Sequence, residues 1–312
     1  MTVPDLAEAE RILRARLGPG VRVGFPIAPL TTFRIGGPAA LFVDAQGDEA
    51  LAAVREAADA TGTPVAVIGK GSNMLVSDDG FPGIVVRLGR GFRWAGRDGN
   101  RLSAGGAMPL PAMAGVAMRH RLSGLEFGVA IPASLGGAVK MNAGAHERSM
   151  SDVVDRVEVF PLAGSGPRRS LTSSEAGFAY RRSRLPDASI VVGATVRLQP
   201  GAEDEIRARM EDARGWRRRT QPLAEPNCGS VFKNPDADHA ARLVESAGAK
   251  GLRVGGARVS EKHANFIVAD PGATASDVWD LIQQVRSRVE DHAGVRLETE
   301  VELMGAVGDA DD

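Results

Sequence analysis

Several short runs of this 312-residue chain carry groups that could do chemistry. The first, residues 124 to 144, packs small residues around one proline (Ile131-Pro132-Ala133-Ser134-Leu135-Gly136-Gly137-Ala138) and closes on Asn142, Ala143 and Gly144. It has neither a helical period nor a clean strand alternation. Such a run makes sense where backbone N–H groups must approach an anion, a pyrophosphate being the usual one. The second is Gly69-Lys70-Gly71-Ser72-Asn73-Met74-Leu75-Val76, directly after the apolar run 64–68. A Rossmann Gly-x-Gly-x-x-Gly fails here, because Met74 stands where the third glycine belongs and no helix is expected to open after it. A Walker A loop fails as well, with Gly71 following Lys70 and Pro64 in place of the leading glycine. What remains is a compact N–H nest with a serine hydroxyl and an asparagine amide, suited to a diphosphate. Taken alone, each run also fits an ordinary turn or surface loop. Together they are the two anion cradles that a dinucleotide with a buried pyrophosphate needs, with a flavin between the first two regions of the chain.

Three further runs carry side-chain chemistry. In Phe178-Ala179-Tyr180-Arg181-Arg182-Ser183, the chain's single tyrosine precedes an arginine that could clamp a carboxylate or diphosphate in bidentate fashion. A solvated basic turn is the plainer alternative. In Pro226-Asn227-Cys228-Gly229-Ser230-Val231-Phe232-Lys233-Asn234-Pro235, Ser230 has no histidine or carboxylate close in sequence. Gly-x-Ser-x-Gly is absent too, so a hydrolase nucleophile is unsupported. Its hydroxyl could still donate a proton to a reacting centre, and Cys228 reads as a small buried residue rather than a redox thiol. In the segment Val295 to Leu303, strict alternation puts Arg296, Glu298, Glu300 and Glu302 on one face of an expected strand. Alternation cannot say which of them does chemistry.

Composition narrows the classes. A net charge of −1, 43% hydrophobic residues and no long apolar run describe a soluble globular protein with no membrane partner. Only five of the 38 basic residues are lysine, and the arginines are spread along the chain and balanced by acid, so no nucleic-acid partner is expected. One cysteine rules out an intramolecular disulfide and a multi-cysteine metal site, and the five histidines show no ligand spacing, so no metal is expected. The first twenty residues mix acid and base in a helical pattern, unlike a leader peptide, which makes a cytoplasmic address the default expectation. A monomer is expected.

The positioning elements follow from period and caps. Helices are predicted over 5–17 (closed by Gly18), 48–60 (closed by Gly62), 111–120 and 204–219. A last helix carries Val278, Leu281, Ile282, Val285 and Val289 on one stripe, with Ser276 as N-cap and Gly294 as stop. Strands are predicted over 40–44, 64–68, 84–88, 153–160 and 190–198, followed by the single strand 295–303; the tail after Gly305 is expected to fray. The mixture reads as α+β rather than a doubly wound sheet.

Taken in order, these segments resemble the UDP-N-acetylenolpyruvoylglucosamine reductase (MurB) family. The matching residues are Thr31-Thr32-Phe33-Arg34-Ile35-Gly36-Gly37, the runs 69–76 and 124–144, Tyr180-Arg181-Arg182-Ser183, and Arg217-Arg218-Arg219-Thr220-Gln221-Pro222. Further matches are 229–235, Ala247-Gly248-Ala249-Lys250-Gly251, Val259-Ser260-Glu261-Lys262-His263-Ala264-Asn265-Phe266-Ile267 and Leu297-Glu298-Thr299-Glu300-Val301, so the likeness spans about residues 20 to 305. It implies an FAD-binding fold of the vanillyl-alcohol-oxidase (PCMH) type. Two subdomains, 1–85 and 86–205, would hold non-covalent FAD, and 206–312 would bind substrate, with the strand 295–305 able to return to the first. It implies NADPH as hydride donor and a UDP-sugar as substrate, reduced at the enolpyruvyl C3 to UDP-N-acetylmuramate for peptidoglycan. By matched position, Ser230 would protonate C2, while Arg181 and Glu300 would stabilise the enolate, Glu300 as a protonated acid whose pKa is raised by burial and a neighbouring carboxylate. Gly69, Lys70, Gly71, Ser72, Asn73, Met74, Ile131, Pro132, Ser134, Gly136, Gly137, Ala138 and Asn142 would bind the cofactor. Tyr180, Arg217, Gln221, Lys233, Asn234 and His263 would line the substrate site.

Three departures from the family pattern stand out. Alanine occupies 130 and 133, and Glu147 follows His146, where glycine is common. Since Tyr180 is the only tyrosine, the tyrosine lid of one branch is absent, which points to the loop-less branch. Two other functions compete with the reductase: a flavin alcohol oxidase or dehydrogenase of the same fold, and a non-catalytic nucleotide-binding module. The first lacks a histidine or cysteine placed to attach or poise a flavin.

Overall fold

The computed structural model describes residues 4–308, and the chain divides into two compact units. The first comprises 1–23, 40–70 and 83–217; the second comprises 24–39, 71–82 and 218–312. The first unit thus draws on both expected FAD-binding spans. The second joins most of the expected substrate-binding span to two segments from the N-terminal span. Residues 309–312, part of the tail expected to fray, lie outside the described residues.

In the first unit, the Asp5 carboxylate accepts from the Glu8 N–H at 3.0 Å and starts the helix Leu6–Leu17. Gly62, left-handed at φ 67, closes the helix Asp48–Thr61. Their apolar stripes, Ala9 and Leu13 with Leu51, Val54 and Ala57, are buried in one cluster with Leu41, Val43, Ile84 and Val86. A four-stranded sheet runs Val21–Pro26, Pro38–Ala45, Phe81–Leu88, Val65–Val67, and its last pair is parallel with Val65 opposite Ile84. A second sheet of five antiparallel strands runs Arg169–Thr172, Val154–Pro161, Ser189–Arg197, Arg101–Gly105, Ala95–Asp98. Its core takes Leu110 and Met113 from the helix Leu110–Arg119, and Ile206 and Met210 from the helix Glu203–Thr220.

The second unit wraps the helix Ala275–Ala293 with the helix Ala240–Ser246 and the antiparallel strands Arg253–Val254, Ala257–Val259 and Ile267–Ala269. The stripe Val278, Leu281, Ile282, Val285, Val289 is fully buried, as its period demands. The N-cap is Thr274, in a capping box with Asp277, and not the expected Ser276. Ser276 is the second residue of the helix, where its N–H and hydroxyl both donate to Asp78 at 3.1 Å.

Two further expectations are corrected. The stretch 124–144 contains a short helix, Leu135–Lys140, opened by the Ser134 side chain accepting from Gly137 N–H. Six residues with two glycines cannot display a helical period, so tertiary bonds define it: Leu135 N–H donates to Met108 O at 2.8 Å and Gly136 N–H to Gly106 O at 2.9 Å. The segment 295–303 is not one strand. Only Glu302–Met304 is a strand, paired in parallel with Met74–Val76, while Thr299 forms an isolated antiparallel bridge with Phe232. The chain hands its backbone bonds from one partner to the other at Glu300, which is why alternation continues across a broken ladder. No helix among the described residues is long and apolar enough to cross a membrane.

Candidate functional site

In the first unit, Gly69 and Lys70 are exposed after the parallel strand, and an added Cβ at Gly69 would stand 2.6 Å from the Ser134 Oγ. The two expected cradles are therefore neighbours at that point. The backbone N–H groups of Gly69 and Lys70 donate to no protein group among the described residues. Those of Ala133 and Ser134 are in the same position. Unused amide donors in series are the chemistry that a diphosphate needs, so these residues fit a flavin dinucleotide. Ile131 is half-buried and Pro132 exposed, whereas Gly136 and Ala138 are buried in the short helix, with Gly137 exposed. In the second unit, the N–H groups of Gly71, Ser72 and Asn73 likewise donate to no protein group among the described residues, and Met74 begins the strand that pairs with Glu302.

Asn142 is buried, left-handed at φ 43, and commits both halves of its amide to backbone. Its Nδ2 donates to Ala179 O at 2.9 Å and its Oδ1 accepts from Ser151 N–H at 2.8 Å. Ala179 and Arg182 close a tight turn by exchanging backbone bonds, with Tyr180 and Arg181 at its tip. Arg181 is itself left-handed at φ 54, an outlier for a side chain of its size. Its guanidinium lies 5.1 Å over the exposed Tyr180 ring and beside Gly144, where a Cβ would come within 3.2 Å of Nη1. The neighbouring two-residue hairpin pairs Ala145 with Arg148, with His146 (φ 52) and Glu147 (φ 61) at its tip. A left-handed pair is what such a turn requires, which explains the family's glycine there. Neither Ala130 nor Ala133 has a positive φ, so alanine costs nothing at those places. His146 meets the Trp216 ring edge-on at 5.1 Å, and burial pulls the pKa of the adjacent Arg217 down.

The second unit brings Asn73, Ser230 and Glu300 together. Glu300 N–H donates to Val231 O at 2.7 Å, and Glu300 O accepts from Asn73 Nδ2 at 2.9 Å. Ser230 is half-buried between Gly229, which takes φ 84, and Val231, and its hydroxyl has no hydrogen-bond partner among the described residues. A hydroxyl left open beside a carboxylate-bearing segment can serve a ligand. Burial pushes the Cys228 thiol well above its ordinary range, so Cys228 is an inert core residue.

Of the expected substrate residues, Tyr180 and Arg217 belong to the first unit, and Gln221, Lys233, Asn234 and His263 are dispersed within the second. Lys233 pairs with Glu298 at 3.2 Å and lines an open cleft of about 510 Å³ with Arg286 and Arg296. Asn234 Oδ1 accepts from Ala240 N–H at 3.0 Å at the start of a helix. Gln221 O accepts from Leu223 N–H at 3.0 Å. The His263 ring packs edge-on against Phe266, and burial holds its pKa below the ordinary value. Sequence reasoning passed over two asparagines. Asn227 Oδ1 accepts from Gly229 N–H at 2.9 Å, and the Asn265 side chain brackets Phe232. The only available signal was that Asn265 lies inside a family-like run.

The family model for the C-terminal domain of UDP-N-acetylenolpyruvoylglucosamine reductase matches residues 221–304, and an FAD binding domain model matches 39–165. UDP-N-acetylenolpyruvoylglucosamine reductase 2 of Symbiobacterium thermophilum is 45% identical over 299 residues, covering 95% of this chain and 96% of that protein. The reductase of Heliobacterium modesticaldum is 46% identical over 285 residues, covering 91% and 90%. Among solved structures, the UDP-N-acetylenolpyruvylglucosamine reductase (MurB) of Thermus caldophilus aligns with a TM-score of 0.77 at 37% identity, covering 91% of this chain and 98% of that one.

Proposed function

The chain belongs to the UDP-N-acetylenolpyruvoylglucosamine reductase family, and from that premise we propose that it reduces the enolpyruvyl ether of this UDP-sugar to UDP-N-acetylmuramate for peptidoglycan, with NADPH as the source of hydride. Non-covalent FAD, when bound, supplies two-electron chemistry between NADPH and the alkene. Residues 69, 70, 133 and 134 would hold its pyrophosphate through their unused N–H groups. Hydride addition at C3 drives negative charge into the substrate carboxylate. An arginine aimed there binds the transition state more tightly than the ground state, which is the role of Arg181. Ser230 delivers the proton to C2. A serine is a weak acid, and it suffices because the acceptor is a strongly basic carbanion equivalent. Glu300, as a protonated acid, supports the same enolate. Tyr180, Arg217, Gln221, Lys233, Asn234 and His263 orient the sugar nucleotide. In this reading 1–85 and 86–205 serve FAD, 206–312 serves substrate, and the enzyme works as a cytoplasmic monomer.

The observation that carries the assignment is the open Ser230 hydroxyl, one residue from the Val231 carbonyl that receives Glu300 N–H at 2.7 Å. Anaerobic spectroscopy tests it. The yellow holoprotein should bleach with NADPH and regain colour when the enolpyruvyl UDP-sugar is added. Bleaching by an alcohol would select the oxidase instead, and colourless protein that binds no FAD would leave only a binding module.

A further inference from the structure

A serine hydroxyl reaches only one bond beyond its Cβ, so its position is set by the two peptide planes around it. Upstream of Ser230, Asn227 pins Gly229 N–H and anchors itself by donating from Nδ2 to Pro222 O at 3.2 Å and Glu225 O at 2.7 Å. Downstream the clamp is Asn265, a buried polar residue 4% exposed. Its Oδ1 accepts from Phe232 N–H at 2.9 Å, its Nδ2 donates to Phe232 O at 2.8 Å, and its own backbone carbonyl accepts from Val231 N–H at 2.9 Å. Three bonds therefore hold the two residues that follow Ser230, in a segment where only an isolated bridge, Phe232 with Thr299, stands in for a ladder. Both backbone groups of a single residue are read by one side chain. Only an amide offers the donor and acceptor that this requires; aspartate would set two acceptors there and leucine none. The clamp is itself fixed, since Asn265 N–H donates to His263 Nδ1 at 3.2 Å.

We propose that Asn265 is a positioning residue that fixes the Ser230 hydroxyl for proton delivery, acting through the backbone of residues 231 and 232. The inference rests on the reading of Ser230 as the proton donor. Asn265 touches no reacting atom in this scheme. Its loss would leave buried backbone groups unsatisfied and let the loop shift, and a misplacement of about 1 Å can cost about 100-fold in rate.

The test uses FAD-loaded full-length protein and stopped-flow records of each half-reaction. Asn265→Ala should leave flavin reduction by NADPH unchanged and slow reoxidation by the enolpyruvyl UDP-sugar about 10- to 100-fold. Asn265→Asp, which keeps shape and one acceptor, should slow the same step and serves if the alanine variant does not fold. The double variant Ser230→Ala/Asn265→Ala should be no slower than Ser230→Ala alone, because the clamp has nothing left to position. Equal slowing of both half-reactions, or additive losses in the double variant, would overturn the proposal. Should Ser230→Ala itself leave reoxidation intact, the proton-donor reading fails. If Ser230→Ala slows it and neither Asn265 variant does, only the positioning role fails.

Discussion

The turn that carries Arg181 and the loop that carries Ser230 solve one problem in different ways. Each is held by a buried asparagine that commits its whole amide to backbone: Asn142 for the turn, Asn265 for the loop. Arg181 nevertheless sits in a left-handed backbone conformation at φ 54, whereas before Ser230 the positive φ falls on Gly229. A guanidinium acts through charge at the end of a long stem, so modest backbone strain beneath it is tolerable. A hydroxyl acts through one short bond, so its backbone is relaxed and pinned on both sides.

Variants can break that comparison. Arg181→Gln should reduce reoxidation of the NADPH-reduced flavin by about 10²- to 10³-fold in single-turnover kinetics, the scale for losing one charge-stabilising donor. A loss confined to KM would instead make Arg181 a binding residue. Asn142→Ala removes a buried amide from a left-handed position and from two backbone partners, and should cost about 2–3 kcal/mol in denaturant unfolding. Thr274→Ala removes a helix cap and should cost about 1 kcal/mol with both half-reactions unchanged. Glu147→Gly should relieve the hairpin tip and stabilise by less than about 1 kcal/mol, seen as a small rise in Tm.

The smallest effect concerns pH. Burial holds the His263 imidazole below its ordinary 6.5, so the unfolded chain takes up a proton that the folded state resists. Stability should therefore be level above pH 6.5 and fall as pH drops below it. In His263→Gln, the slope of Tm against pH below 6.5 should flatten.

Much of this was legible from one dimension. The helices Leu6–Leu17, Asp48–Thr61 and Ala275–Ala293 announce themselves by stripes and by Gly18, Gly62 and Gly294, because caps and period are local physics. The helix Leu135–Lys140 was not legible, since Met108 and Gly106 define it from a distance. The alternation of 295–303 was real but silent about the change of partner at Glu300. The asparagine clamps were hidden for the same reason: Asn265 acts on a residue 33 positions away, and no spacing rule records a side chain that substitutes for a strand.

The proposed proton transfer from Ser230 to C2 is probed most directly by single-turnover reoxidation of NADPH-reduced Ser230→Ala by the enolpyruvyl UDP-sugar. The expected result is an unchanged reduction step and a reoxidation step slower by about 10²- to 10⁴-fold. Reoxidation at the wild-type rate would contradict it.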